Sequence, residues 1–331
     1  MRPGKFSESV LKRSVLKQIK TKREEVLTGA GVGSDCSFFV FGEGEGTLLS
    51  VSSIVVEEIE DLSLGIIAAV NNVAAAAGEP VGIAVSSLLP DKILESVVQR
   101  YSAEAEKACH ILGIQIAGGN TMITGEVKKP IFAISVIGKK KVSMIQEEAV
   151  YEGGEDIILT KWVGLAGTAV LAEKKEKELS QRLPHHLIQE AKEFSQMISV
   201  LSEGRVGIRC KVKKMHDVSR GGILAALWEL VEDTGMGLTA DLKKIPIRQE
   251  TIEICELLEV NPYELYGAGS LLMVTSNTAE VLEQLEREHI PAKVIGRITR
   301  DKARVLWNGE EKRFLDRPRT EALEILRKEE E

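Results

Sequence analysis

The run Met215-His216-Asp217-Val218-Ser219-Arg220-Gly221-Gly222-Ile223-Leu224 places an acid, an arginine and two glycines directly ahead of an apolar segment. A helix beginning there turns its unbonded first-turn N–H groups and the positive end of its dipole toward an anion. Two glycines let backbone approach a ligand closely, and Arg220 adds a planar fork suited to phosphate or carboxylate. Asp217, Ser219, Arg220, Gly221 and Gly222 are therefore candidate anion- or substrate-binding residues. The same residues would also serve a plain helix start capped by Asp217 or Ser219, with the glycines used only for packing. A second glycine element, Ile116-Ala117-Gly118-Gly119-Asn120-Thr121, follows the strand-like Ile114–Ala117, and a third, Gly29-Ala30-Gly31-Val32-Gly33-Ser34-Asp35, lies near the N-terminus. One such cluster is ordinarily a turn. Three, each beside a polar or acidic residue, read as loops around a phosphorylated ligand.

Alternating helix and strand patterns must carry these loops. The periodicity predicts helix over residues 7–20, strand over Thr47–Val56, helix over Asp61–Ala77, strand over Val81–Leu88, helix over Lys92–Leu112 and strand over Pro130–Lys139. A first domain over residues 1–148 follows, its elements closing near residue 145. The turn Tyr151-Glu152-Gly153-Gly154-Glu155-Asp156 then opens a second domain over residues 149–331. There, strands at Ile157–Thr160 and near 212–216, 270–275 and 292–298 alternate with helices at about 185–202, 222–235, 249–258 and 278–288. Thr320–Glu331 has the pattern of a short amphipathic helix whose final acids oppose its own dipole, so its end should fray. The fold class is α/β (α+β) in two domains.

A chain of 331 residues can bury a core in each half without disulfides. Its net charge of −7 argues against a sequence-independent grip on nucleic acid or anionic lipid. The most apolar stretch, Leu64 to Leu89, is interrupted by Asn71, Asn72, Glu79 and Pro80, which argues against a membrane span. The N-terminal segment has no signal-peptide core, so the expected location is the cytoplasm. Cys36, Cys109, Cys210 and Cys255 form no metal or redox spacing, and the histidines form no ligand cluster.

Taken in order, Gly33-Ser34-Asp35, Val70-Asn71-Asn72-Val73-Ala74 ahead of Gly78-Glu79-Pro80, Gly118-Gly119-Asn120-Thr121 and Asp217-Val218-Ser219-Arg220-Gly221-Gly222 resemble the aminoimidazole ribonucleotide (AIR) synthase superfamily over nearly the whole chain. Ile245-Pro246-Ile247-Arg248, Cys255-Glu256-Leu257-Leu258 and Asn261-Pro262 make it most similar to the hydrogenase-maturation HypE branch. The resemblance implies a PurM-like architecture, in which the N-terminal sheet pairs with a second copy to form a barrel across a homodimer beside a C-terminal α/β domain. It also implies ATP as ligand, with Mg²⁺ at its phosphates. Lys5, Gly33, Asp35, Asn72, Gly118, Gly119, Asn120 and Thr121 become the nucleotide- and phosphate-binding set, with Asp35 and Asn120 as the metal positions. The loop Val163-Gly164-Leu165-Ala166-Gly167-Thr168 would face the cleft.

Two departures accompany the resemblance. Of the family's four acids, only Asp35 is present; Ser52, Asn72 and Asn120 stand where the others are expected. Neutral oxygens offset a divalent charge poorly, so Mg²⁺ binding should be weak unless Glu57, Glu58, Glu60 or Asp61 substitutes, the other reading of those four being a solvated acidic loop. HypE chains also end in Pro-Arg-x-Cys, whose thiolate carries the carboxamido group that is dehydrated. Here Arg317-Pro318-Arg319-Thr320 is followed by no cysteine, so turnover by that route is not expected. The resulting expectation is a HypE-like nucleotide- or anion-binding protein with reduced or lost catalysis, partnered with itself or with another maturation or metabolic protein. The alternative is an active ATP-dependent enzyme that activates a carbonyl or amide oxygen or phosphorylates a small acceptor.

Overall fold

The computed structural model describes residues 26–28, 36–40, 44–143 and 149–316. They fall into two compact units that meet in sequence between Ser143 and Ala149. The helix expected over residues 7–20 and the tail helix over Thr320–Glu331 lie outside the described residues.

In the first unit the order is β1 (Val26–Thr28), β2 (Ser37–Val40), β3 (Glu45–Val55), α1 (Glu60–Ala75), β4 (Glu79–Pro90), α2 (Glu95–Leu112), β5 (Gln115–Thr124) and β6 (Ile131–Lys141). They build one six-stranded sheet in the order β1-β2-β3-β6-β4-β5, antiparallel except for the β4–β5 pair. Period-two alternation decides which face is covered. Phe132, Ile134 and Val136 of β6 are buried with Leu62, Ile66, Val70 and Val73 of α1, which packs against β3, β6 and β4. On the other face Val51, Val55 and Ile137 are exposed. Side-chain hydrogen bonds fix the turn that leads into α1 and the residue that follows it. Asp61 Oδ2 accepts the N–H groups of Glu57 and Glu58 at 3.0 Å each, and the Lys140 ammonium donates to Ala76 O at 2.9 Å, where a cation also suits the helix dipole.

The second unit contains β7 (Asp156–Thr160), α3 (Leu165–Lys174), α4 (Glu176–Leu179), α5 (His185–Glu193), α6 (Leu201–Arg209), β8 (Lys214–Val218), α7 (Gly222–Leu230), β9 (Gly237–Asp241), α8 (Gln249–Leu257), β10 (Ser270–Thr275), α9 (Thr278–Arg287), β11 (Ala292–Thr299), β12 (Arg304–Asn308) and β13 (Glu311–Phe314). Its seven-stranded sheet runs β13-β12-β9-β11-β7-β10-β8, with β12–β9 the one parallel pair. All six residues of β10 are buried, so its apolar run is a central strand. The main core gathers Ile157, Leu159, Leu272 and Val274 of the sheet with Ile223 and Leu227 of α7.

Several elements differ from the sequence expectation. The helix expected over 185–202 breaks after Glu193 into a 3₁₀ turn, Phe194–Met197, and resumes at Leu201. At the break the Lys161 ammonium takes the carbonyls of Met197 and Ser199 at 2.8 Å each, and Glu203 at 2.7 Å, an electrostatic staple that holds those carbonyls away from a helical ladder. The helix expected over 222–235 ends at Leu230. Strands β9, β12 and β13 are additional. All four cysteines are buried and none forms a disulfide. Burial pushes Cys109 up to about 11, with the neighbouring Glu106 adding to it, and Cys255 up to about 12.

Candidate nucleotide and anion site

In the first unit the Gly118-Gly119-Asn120-Thr121 element is not the loop the sequence suggested. It continues β5 as an edge strand parallel to β4, with the register slipping between Ile83 and Ala84 so that Ala117 bulges. Glycine is required at 119 by proximity: a Cβ there would lie 2.0 Å from Val85 O. At Gly118 a Cβ would meet nothing within 4 Å, so that backbone is open to a ligand. Asn120 and Thr121 are exposed on the sheet edge. Ser87 Oγ, on β4, donates to Asn120 O at 3.3 Å and lies 3.1 Å from Thr121 Oγ1, tying the two strands side by side.

Asn72 projects from the last turns of α1. Its Nδ2 donates to Ser50 Oγ at 2.9 Å, and its backbone carbonyl accepts from the Cys36 thiol at 3.4 Å. Ser50 is buried and Ser52 half-buried on the same face of β3. Asn72 is thus bonded to Ser50, two residues before the Ser52 that the family resemblance singles out. Two of the acids offered as substitutes, Glu57 and Asp61, are engaged elsewhere. Glu57 pairs with Lys129 at 2.6 Å, and Asp61 accepts the N–H groups of Glu57 and Glu58. Among the described residues no three histidine, cysteine, aspartate or glutamate side chains come together to hold a metal ion. Ser52, Asn72 and Asn120 alone do not fit Mg²⁺, which takes charged oxygens in octahedral array. Lys5, Gly33 and Asp35 lie outside the described residues.

In the second unit Asp217 belongs to β8, opposite Leu271 of β10, and is 2% exposed. Its neighbour His216 is equally buried, with Nε2 3.4 Å from Glu229 Oε2 on α7. The chain leaves β8 at Ser219, turns through Gly221 at φ 82° and enters α7 at Gly222, φ 64°. No side chain caps this helix, so neither Asp217 nor Ser219 plays that part. The Ser219 carbonyl instead accepts the N–H groups of Gly222 and Gly267 at 3.1 Å each.

The helix start is also less open to an anion than its sequence suggests. Leu224 N–H donates to Tyr263 O at 3.3 Å, and a Cβ on Gly222 would lie 2.4 Å from that same carbonyl and 2.8 Å from Leu265 O. Gly222 is thus required both by its left-handed conformation and by close packing. Arg220 is exposed at the rim. The Val163–Thr168 stretch is a helix start rather than a loop: α3 begins at Leu165, Gly167 N–H donates to Tyr266 O at 2.8 Å, and Thr168 Oγ1 lies 2.9 Å from Thr251 Oγ1. The segment Tyr263–Tyr266 therefore anchors the first turns of α3 and α7 together. What remains for a ligand is the exposed Arg220 guanidinium, a group able to take an anion.

Residues 22–139 match the model of the AIR synthase related protein N-terminal domain, and residues 152–308 match that of the C-terminal domain. The chain belongs to the AIR synthase-related family. Among relatives of this AIR synthase-related protein is the carbamoyl dehydratase HypE of Cupriavidus necator, 24% identical over 280 residues, which span 81% of this chain and 78% of the relative. Its fold matches that of a chain in a HypE–HypF complex with a TM-score of 0.71 at 17% identity, covering 94% of this chain and 100% of the other. It also matches a hydrogenase maturation protein HypE in complex with ATP, with a TM-score of 0.66 at 17% identity over 98% and 97% of the two chains.

Proposed function

We propose that this AIR synthase-related protein is a HypE-like nucleotide binder whose ATP-dependent turnover is reduced. The observation that carries this reading is the Asn72–Ser50 hydrogen bond. Where the family resemblance calls for a carboxylate, a neutral amide spends its donor on a buried hydroxyl, and neither partner supplies negative charge for a metal–phosphate complex. Asn120, exposed on β5, likewise contributes only a neutral carbonyl oxygen.

ATP as ligand is supported by the likeness to a HypE bound to it. Gly118, Gly119, Asn120 and Thr121, with Lys5, Gly33 and Asp35, would approach the phosphates, and Arg220 and Ser219 would hold an anionic second ligand. Mg²⁺ would enter mainly with the nucleotide, with Asp35 its one carboxylate from the family set. The exposed face of the first unit, with Val51, Val55 and Ile137, supports self-association into a homodimer. The likeness to a HypE in complex with HypF supports a second maturation protein as partner. A cytoplasmic site of action fits four buried thiols with no disulfide.

Calorimetric titration with ATP, with and without Mg²⁺, followed by a phosphate-release assay, tests the reading. Binding that changes little when Mg²⁺ is removed, with phosphate release near background, is the expected result. Tight Mg²⁺-dependent binding with turnover would replace it with the active-enzyme alternative.

A further inference from the structure

Of the six asparagines in the chain, Asn308 alone is followed by glycine; Asn71, Asn72, Asn120, Asn261 and Asn277 precede Asn, Val, Thr, Pro and Thr. The neighbour matters because the backbone nitrogen after an asparagine can attack the side-chain carboxamide, and only glycine brings no Cβ to crowd that approach. The fold sets this dipeptide at the tip of the β12–β13 hairpin. Asn308 stands opposite Glu311, so Gly309 and Glu310 form a two-residue turn. Gly309 has φ 68° and Glu310 is not left-handed, the pattern of a type II′ turn. In such a turn the Gly309 N–H lies outside the strand ladder, and no backbone carbonyl among the described residues accepts it. Asn308, Gly309, Glu310 and Glu311 are all exposed. Charges of both signs stand at the tip: a Cβ on Gly309 would come 2.7 Å from Lys243 Nζ, while Glu310 and Glu311 follow in the chain.

We propose that Asn308 is a self-modifying site, which deamidates through a succinimide formed with Gly309 and thereby loosens its own hairpin. The Gly309 nitrogen gives its proton to water and bonds to Asn308 Cγ; the Cγ–Nδ2 bond breaks and the amide nitrogen leaves as ammonia, closing the ring. Water then opens the ring at either carbonyl. Breaking the bond from nitrogen to Cγ yields aspartate, and breaking the bond from nitrogen to the backbone carbonyl carbon yields isoaspartate. In sum one water is consumed, one ammonium is released and one carboxylate is gained. Extended Asn308 has to leave its pairing for the attack, and a hairpin end is where such opening costs least: the last two residues of β12 and all four of β13 are exposed. The product then weakens its surroundings. A carboxylate at position 308 stands opposite Glu311, and like charges directly opposite repel. Isoaspartate also lengthens the main chain by one methylene, which breaks the register between positions 308 and 311. The groove of about 410 Å³ that Asn308 lines with Leu242, Glu311, Lys312 and Arg313 passes from two cations against one acid to two against two.

The test ages the full chain in mildly alkaline buffer and follows every asparagine-containing peptide by mass, with isoaspartate detected by enzymatic methyl transfer to its α-carboxylate. Asn120 and Asn277 serve as internal controls, since both are exposed and both precede Thr. Asn308 should lose its amide at least tenfold faster than either and give isoaspartate together with aspartate. Asn308→Asp, which installs the charge without the extra methylene, should speed hydrogen exchange at the backbone amides of β13 at least threefold, whereas Asn308→Gln should keep its amide and exchange as the unaltered chain does. Three results would overturn the proposal: loss at Asn308 no faster than at the controls, aspartate without isoaspartate, which would mark direct hydrolysis without Gly309, or β13 exchange unchanged by Asn308→Asp. Neither readout involves a nucleotide, so this test and that of the nucleotide reading fail separately.

Discussion

The Lys213 ammonium lies 2.6 Å from Glu155 Oε1, and the same carboxylate accepts the Glu152 N–H at 2.8 Å and the Gly153 N–H at 3.0 Å, so one side chain fixes the turn that opens the second unit. Burial alone would push this carboxyl up; the Lys213 hydrogen bond and the turn amides outweigh it and hold it below its ordinary value of 4.5. A carboxylate with a depressed folded-state value contributes stability that is complete above the unfolded value and is lost as pH falls through the folded one. Thermal melts from pH 7 downward should therefore show a decline beginning near pH 4.5. Glu155→Gln should lower stability at pH 7 by about 1 to 2 kcal/mol and flatten that decline, because the half-buried Lys213 ammonium and the turn amides lose a charged acceptor.

Restoring charge at the α1 position gives a second prediction. Asn72→Asp together with Asn120→Asp should raise Mg²⁺-dependent ATP affinity at least about tenfold, or about 1.4 kcal/mol, by calorimetry. Ser50 Oγ can reverse its role and donate to the new carboxylate, so the fold should tolerate the change. An unchanged titration would mean that these positions do not face the nucleotide's metal.

Arg220 and Gly222 are adjacent to the same turn yet predict opposite phenotypes. Arg220→Ala removes an exposed group and should leave the melting temperature unchanged, while anion affinity falls by about 1.5 to 3 kcal/mol if the guanidinium holds the ligand. Gly222→Ala drives a Cβ into Tyr263 O and Leu265 O in a left-handed conformation and should cost about 2 to 4 kcal/mol of stability. Differential scanning fluorimetry with and without inorganic phosphate separates the two.

Self-association through the first unit predicts that Val51→Glu and Val55→Glu together shift the chain to monomer in light-scattering chromatography. Both side chains are exposed in the single chain, so the melting temperature of the monomer should fall little. A dimer that survives both changes would place the contact elsewhere.

Much of the first unit was legible because its elements announce themselves locally. Leu62, Ile66, Ala69, Val70 and Val73 recur at helical spacing, and β3 and β6 alternate cleanly. The sheet order was not legible, and β5 shows why. Gly118-Gly119-Asn120 has turn composition, but the parallel partner β4, supplied from well upstream in sequence, holds it extended. The break at Phe194–Met197 depends on Lys161, again a partner distant in sequence. Strands β12 and β13 are short, five and four residues, and so brief a pattern alone cannot be told from a loop. In the candidate site the order of motifs was readable, whereas the Asn72–Ser50 bond needed the register of β3 against α1, which no spacing encodes.

The buried thiols turn the molecule into its own clock. Cys109 lies in the first unit and Cys255 in the second, each almost without exposure and each held protonated far above neutral pH. Because only a solvent-reached thiolate is alkylated, neither reacts until the structure around it opens. The rates at which an excess of iodoacetamide modifies the two sites, resolved by peptide mass, thus report two opening free energies from one unmodified sample. A ligand that tightens only one unit would slow only one of the two reactions.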